Sequence, residues 1–105
     1  MHKIWIDDAR VIPDPSYTRH ITSVDEAISF INRVGIKEIS LIDLDHDAGE
    51  FYNQGGDYIK ILDYIEELQH NGVKINTKFR IHSMNSVGAI RMRAIIQKNG
   101  WKLIN

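Results

Sequence analysis

At 105 residues and 12.1 kDa the chain is the size of one domain and long enough to bury a core of its own. Its 43% hydrophobic and 26% charged residues exclude disorder, and no apolar run nears the roughly 20 residues of a membrane span. The lack of cysteine excludes disulfides, thiolate zinc sites and thiol nucleophiles, and the acids in the opening MHKIWIDDAR argue against a signal peptide. A soluble cytoplasmic protein is the expectation that remains.

The net charge of −1 hides an asymmetry: residues 1–67 carry −8, while residues 68–105 carry +7 and no acid. Either the molecule has separate cation-binding and anion-binding regions, or the fold interleaves the two segments and neutralises them.

In chain order, a first strand is expected over Lys3–Ile6, ending at Asp7 and Asp8. Pro13 and Pro15 then disfavour helix, and a weaker strand follows near Thr18–Ile21. Ser23-Val24-Asp25-Glu26 has capping-box spacing, and Val24, Ala27, Ile28, Ile31 and Val34 recur at helical spacing up to Gly35. A third strand, Glu38–Asp43, runs into the polar segment Asp43-Leu44-Asp45-His46-Asp47. A helix from about Asp57 to Gln69 would bury Tyr58, Ile61, Leu62, Ile65 and Leu68. The fourth strand is Phe79–His82. The next helix runs to about Lys98 with Ile90, Ala94 and Ile95 inward, and Trp101–Ile104 forms a short last strand. Tyr17, Phe51 and Tyr52 fall in loops, where they would mark a lid or a partner surface. His2, His20 and His70 read as surface residues.

Strands alternating with helices imply a parallel sheet covered on both faces, and such sheets bind ligands beyond the carboxyl ends of their strands. Three strand ends carry chemistry there: Asp7, Asp8 and Arg10; then Asp43, Asp45, His46 and Asp47; then His82, Ser83 and Asn85. Carboxylates gathered from neighbouring strands are costly unless a cation sits among them, and all-oxygen ligand sets suit Mg²⁺ or Mn²⁺. The bland alternative is that the aspartates cap helices, form turns or stay solvated. His46 would serve as acid, base or ligand, or as a hydrogen bond between loops. His82 ends an apolar strand and is either part of the site or a satisfied buried histidine. Ser83 and Asn85 precede a helix, where hydroxyl, amide and backbone N–H groups can cradle phosphate or simply cap. Arg10 would hold phosphate or neutralise the acidic pair. Lys78, Arg80, Arg91, Arg93, Lys98 and Lys102 would bind a nucleic-acid backbone or form a solvated basic face.

The acidic pair after strand one, the acid ending strand three and the serine after strand four resemble response-regulator receiver domains. Three features depart from them: the proline-containing loop after Asp8, the extra Asp45-His46-Asp47, and no lysine at the end of strand five, since Lys102 lies inside it. Those departures resemble the cyclic-phosphate processing receiver domains, through Trp5-Ile6-Asp7-Asp8-Ala9-Arg10, Asp45-His46-Asp47, Gly56-Asp57-Tyr58 and His82-Ser83-Met84-Asn85-Ser86-Val87-Gly88-Ala89-Ile90-Arg91-Met92.

The resemblance implies a single three-layer α/β/α domain over 1–105, with a parallel five-stranded sheet of receiver (flavodoxin-like) type in order 2-1-3-4-5. A loop replaces the first helix and no helix follows strand five. It implies a metal-dependent phosphoesterase acting on a cyclic phosphate, as a nucleotide or an RNA 2′,3′-cyclic end. Asp7, Asp8 and Asp45 would hold Mg²⁺ or Mn²⁺; Asp45, His46 and Asp47 would be catalytic; Arg10, His82, Ser83 and Asn85 would bind phosphate. The alternatives are a signalling receiver phosphorylated on Asp43 or Asp45, and a non-catalytic nucleotide- or RNA-binding module.

Overall fold

A computed structural model describes residues 1–83 and 86–104. Five strands, β1 (His2–Ile6), β2 (Arg19–Ile21), β3 (Ile39–Leu44), β4 (Lys78–Ile81) and β5 (Lys102–Leu103), form one parallel sheet in the order β2-β1-β3-β4-β5. Three helices connect them: α1 (Val24–Val34), α2 (Ile59–His70) and α3 (Val87–Lys98). A loop stands where a helix would join β1 to β2, as expected. Among the described residues no helix is long and apolar enough to cross a membrane.

Side chains alternate across a strand, so each strand splits its residues between two faces. Ile4, Ile6, Ile42, Leu44, Phe79 and Ile81 form one face, and buried residues of all three helices pack on it. Trp5 and Leu41 lie on the other, under Tyr17, with Ile12 and Ile104 against them. The second covering layer is therefore the proline-containing loop, and it shields mainly β1 and β3.

Local signals account for the helix boundaries. The Ser23 hydroxyl accepts from the Glu26 amide at 3.1 Å, and the Glu26 carboxylate accepts from Thr22 N at 3.3 Å. This is a capping box displaced by one residue. Gly35, at φ +86°, ends the helix and returns its N–H to the Ile31 carbonyl. Ser86 caps α3 by accepting from Ala89 N at 3.1 Å.

The α2 stripe is as the spacing predicts, whereas the α3 stripe is rotated. Ala89, Met92 and Ile96 are buried, Ile95 is half-buried, Ala94 is exposed and Ile90 is 55% exposed. Apolar residues surround this helix, so periodicity alone leaves two candidate faces. The one carrying the long, adaptable Met92 fits the gap beside α2.

Candidate metal and phosphate site

The ladder continues one residue past each strand. Asp7 N donates to Ile21 O at 3.2 Å, Asp45 N to Ile6 O at 2.9 Å and His82 N to Leu44 O at 2.9 Å. Asp7, Asp45 and His82 therefore stand side by side at the carboxyl ends of β1, β3 and β4. One ligand atom from each lies within 4.8 Å of the other two. That pattern, two carboxylates and an imidazole converging, suits a divalent cation.

Each member is held in place. Asp7 is 1% exposed. Its Oδ1 accepts from Ala9 N at 2.9 Å and Arg10 N at 2.7 Å, and its Oδ2 lies 2.8 Å from His82 Nε2. Burial pushes the Asp7 carboxyl up, but those amides and His82 outweigh it, and the net shift is down. His82 Nδ1 lies 2.8 Å from Asp43 Oδ1, so a fully buried carboxylate orients the ring. Burial lowers the His82 pKa, yet Asp43 and Asp7 together raise it above its ordinary value. The ring also stacks on Trp5, with centroids 3.9 Å apart and planes 8° from parallel. Trp5 is pinned in turn by donating Nε1–H to the Arg10 carbonyl at 2.9 Å.

Tyr17 is no lid. It is 7% exposed, packs edge-on against Trp5 and donates its hydroxyl to Asp43 Oδ2. Burial and the adjacent carboxylate push its pKa up to about 12. His20, read as a surface residue, is half-buried with Nε2 2.9 Å from the Asp7 carbonyl. Phe51 is half-buried in a short turn, and Tyr52 is 57% exposed.

The remaining candidates surround this row. Asp8 lies outside the three-residue set, with its carboxylate against Gly49. Burial, with Asp7, Asp45 and Asp47 nearby, raises its pKa. A Cβ at Gly49 would sit 2.2 Å from Asp8 Oδ2, and φ there is +55°, so only glycine lets the two loops approach. His46 Nδ1 is 3.3 Å from Asp45 Oδ1, but it is buried and lacks a hydrogen-bond partner among the described residues. The Ser83 hydroxyl is buried and unpartnered in the same sense. Asp47 is exposed and turns its own loop, accepting from Gly49 N at 2.8 Å. Arg10 is exposed, and its backbone makes its contacts to Asp7 and Trp5. Asn85 lies outside the described residues.

Four contributors have roles that the residues alone do not reveal. Tyr17 sits in a loop whose path no periodicity gives, and Trp5, on β1, meets His82 through the register of the sheet. Asp57, a helix start within the Gly56-Asp57-Tyr58 motif, accepts from Ala48 N at 3.2 Å and ties the 45–49 loop to the start of α2. Gly88 lets α3 approach His46, since a Cβ there would meet the ring Cδ2 at 2.8 Å. Asp43 did carry a signal, an ionisable residue inside an apolar strand. Burial at 0% exposure, with both oxygens engaged, removes it as a phosphate acceptor.

The family model described as the cyclic-phosphate processing receiver domain matches residues 2–98. No curated protein and no solved structure gives a significant match.

Proposed function

Because the chain belongs to the cyclic-phosphate processing receiver domains, we propose that it is a metal-dependent phosphoesterase that opens a cyclic phosphate, with a 2′,3′-cyclic ribose phosphate as the substrate class. The observation that carries this reading is the pair of buried polar atoms, Ser83 Oγ and His46 Nδ1, that have no hydrogen-bond partner among the described residues and belong to neighbours of His82 and Asp45. Buried polar groups normally have partners, and a phosphate oxygen would supply one.

Asp7, Asp45 and His82 would hold the ion. The imidazole favours Mn²⁺ over Mg²⁺, which prefers oxygen alone. Asp43 and Tyr17 orient His82 from behind, as a carboxylate commonly does for a metal-bound histidine. Such an ion polarises a phosphoryl oxygen and lowers the pKa of bound water. Ser83 donates its hydroxyl hydrogen to a non-bridging phosphoryl oxygen, and Arg10 supplies a cation for the same group. Water adds to phosphorus as one ribose P–O bond breaks. His46 takes the proton from water and returns it to the departing ribose oxygen, which leaves a phosphomonoester and a free hydroxyl. Asp8, with its raised pKa, and Asp47 are second candidates for handling that proton.

The test is a ³¹P NMR time course on a 2′,3′-cyclic nucleotide and acetyl phosphate in one tube with Mn²⁺. The cyclic resonance is expected to give way to a monoester, and Asp45→Asn to abolish the change. Acetyl phosphate consumed alone would favour a receiver phosphorylated on Asp45, the remaining accessible candidate. Two unchanged resonances would refute both chemistries.

A further inference from the structure

The open half of the sheet carries a second surface. On the face shared with Trp5 and Asp43, strand register aligns Leu41, Lys78 and Lys102 in one row and Asp43 and Arg80 in the next, toward the site. Lys78, Arg80 and Lys102 are exposed. Among the described residues none of the three has a carboxylate within ion-pair distance, whereas Lys98 is paired with Glu66 at 3.0 Å.

Lys78 and Lys102 are direct cross-strand partners. Like charges placed opposite one another destabilise a sheet, and folding alone gives no reason for them. Beside them a hollow of about 270 Å³ is lined by Lys3, Ser40, Leu41, Lys78 and Ile104. Its apolar members, Leu41 and Ile104, belong to the same small cluster as Trp5. A row of exposed, unpaired cations leading toward the site matches a nucleotide chain, whose phosphates need the amines. Lys78, at its rim, lies about 13 Å from His82, four residues along the chain at about 3.3 Å each. Arg80 stands between the two.

We propose that this face binds single-stranded RNA, with the 3′ end in the candidate site and the preceding nucleotides running over Arg80 to Lys78 and Lys102. The proposal rests on the phosphoesterase reading for the identity of the strand's end, but its binding arm does not. A fluorescein-labelled RNA hexamer ending in a 2′,3′-cyclic phosphate is titrated by anisotropy in EDTA, where no turnover is needed. The wild type is compared with Lys78→Gln/Lys102→Gln, which relieves a repulsion and leaves the catalytic row intact. Each phosphate contact contributes about 0.7 to the salt slope for a single strand, so the wild-type slope should exceed the variant's by about 1.4. Between about 50 and about 200 mM salt, the wild type should lose roughly sevenfold more affinity than the variant.

In the presence of Mn²⁺, the hexamer should have a lower KM than the 2′,3′-cyclic mononucleotide with wild-type protein, and the variant should narrow that gap. Equal salt slopes for the two proteins would overturn the proposal, even if the mononucleotide is hydrolysed. So would equal binding of a polyglutamate peptide, which would mark the face as a site for an acidic protein. Salt-dependent RNA binding without any hydrolysis would leave the proposal standing and remove the phosphoesterase reading instead.

Discussion

Tyr17→Phe removes the bond by which, among the described residues, the proline-containing loop reaches the Asp43 carboxylate. The ring remains, so its edge-on packing against Trp5 and the cluster with Leu41 are kept. What is lost is an O–H donor to Asp43, a fully buried acceptor whose other partner is His82. A hydrogen bond to a charged group contributes about 1.5–3 kcal/mol, and among the described residues the side-chain partners of Asp43 are Tyr17 and His82. A cost of about 2 kcal/mol corresponds to a Tm lower by about 10 °C for a domain of this size. Thermal unfolding by circular dichroism in EDTA measures it. The difference should also depend on pH. The Tyr17 pKa is raised from 10.0 to about 12 by burial and by Asp43. A group whose pKa is raised on folding stabilises fully below its unfolded pKa and loses that contribution as pH climbs through the folded one. The gap between wild type and variant should therefore hold up to about pH 10 and close toward about pH 12. A shift of less than about 2 °C at neutral pH would show that the hydroxyl does not hold Asp43 as described.

Other substitutions probe the same construction. His82→Gln should cost about 3–5 kcal/mol in urea unfolding, because it removes the partner of two buried carboxylates. Asp43→Asn should weaken Mn²⁺ binding by about 10–100-fold in calorimetric titration, through loss of the group that orients His82. Gly88→Ala should cost about 1–3 kcal/mol in urea unfolding and lower turnover, because its Cβ overpacks against the His46 ring and displaces it. Met92→Ala should cost about 2–5 kcal/mol and Ile90→Ala less than about 0.5 kcal/mol, which checks the observed face of α3 by chemical denaturation.

The parts of the fold set by local chemistry were readable from the residues. Ser23 and Glu26 mark a helix start because two unpaired amides need oxygens there, and Gly35 marks the end because the chain turns through positive φ. Long-range packing was not readable. The face that α3 buries depends on the space beside α2 and β4, and Ile90 is as apolar as the residues it loses to. The site divides the same way. Asp7 and Asp45 stand out as acids beyond neighbouring strands, because parallel topology aligns strand ends, whereas the convergence of His82 in place of Asp8 depends on register and loop path. Tyr17 and Asp57 meet the site only through loop paths, so their roles follow from coordinates rather than pattern. The segregation of charge was visible, but the pattern did not separate Lys98, held by Glu66, from Lys78 and Lys102 on the open sheet.

The most direct test of the central claim follows Mn²⁺ binding and cyclic-phosphate hydrolysis on the same samples. Wild type, Asp45→Asn and His82→Gln are titrated with Mn²⁺ by electron paramagnetic resonance, and each point is assayed for loss of a 2′,3′-cyclic nucleotide. One ion per chain is expected for the wild type, with hydrolysis rising in step with occupancy and both lost in each variant whose fold is verified by circular dichroism. Hydrolysis that persists in EDTA, or Mn²⁺ binding that survives both substitutions, would contradict a catalytic ion held by Asp7, Asp45 and His82.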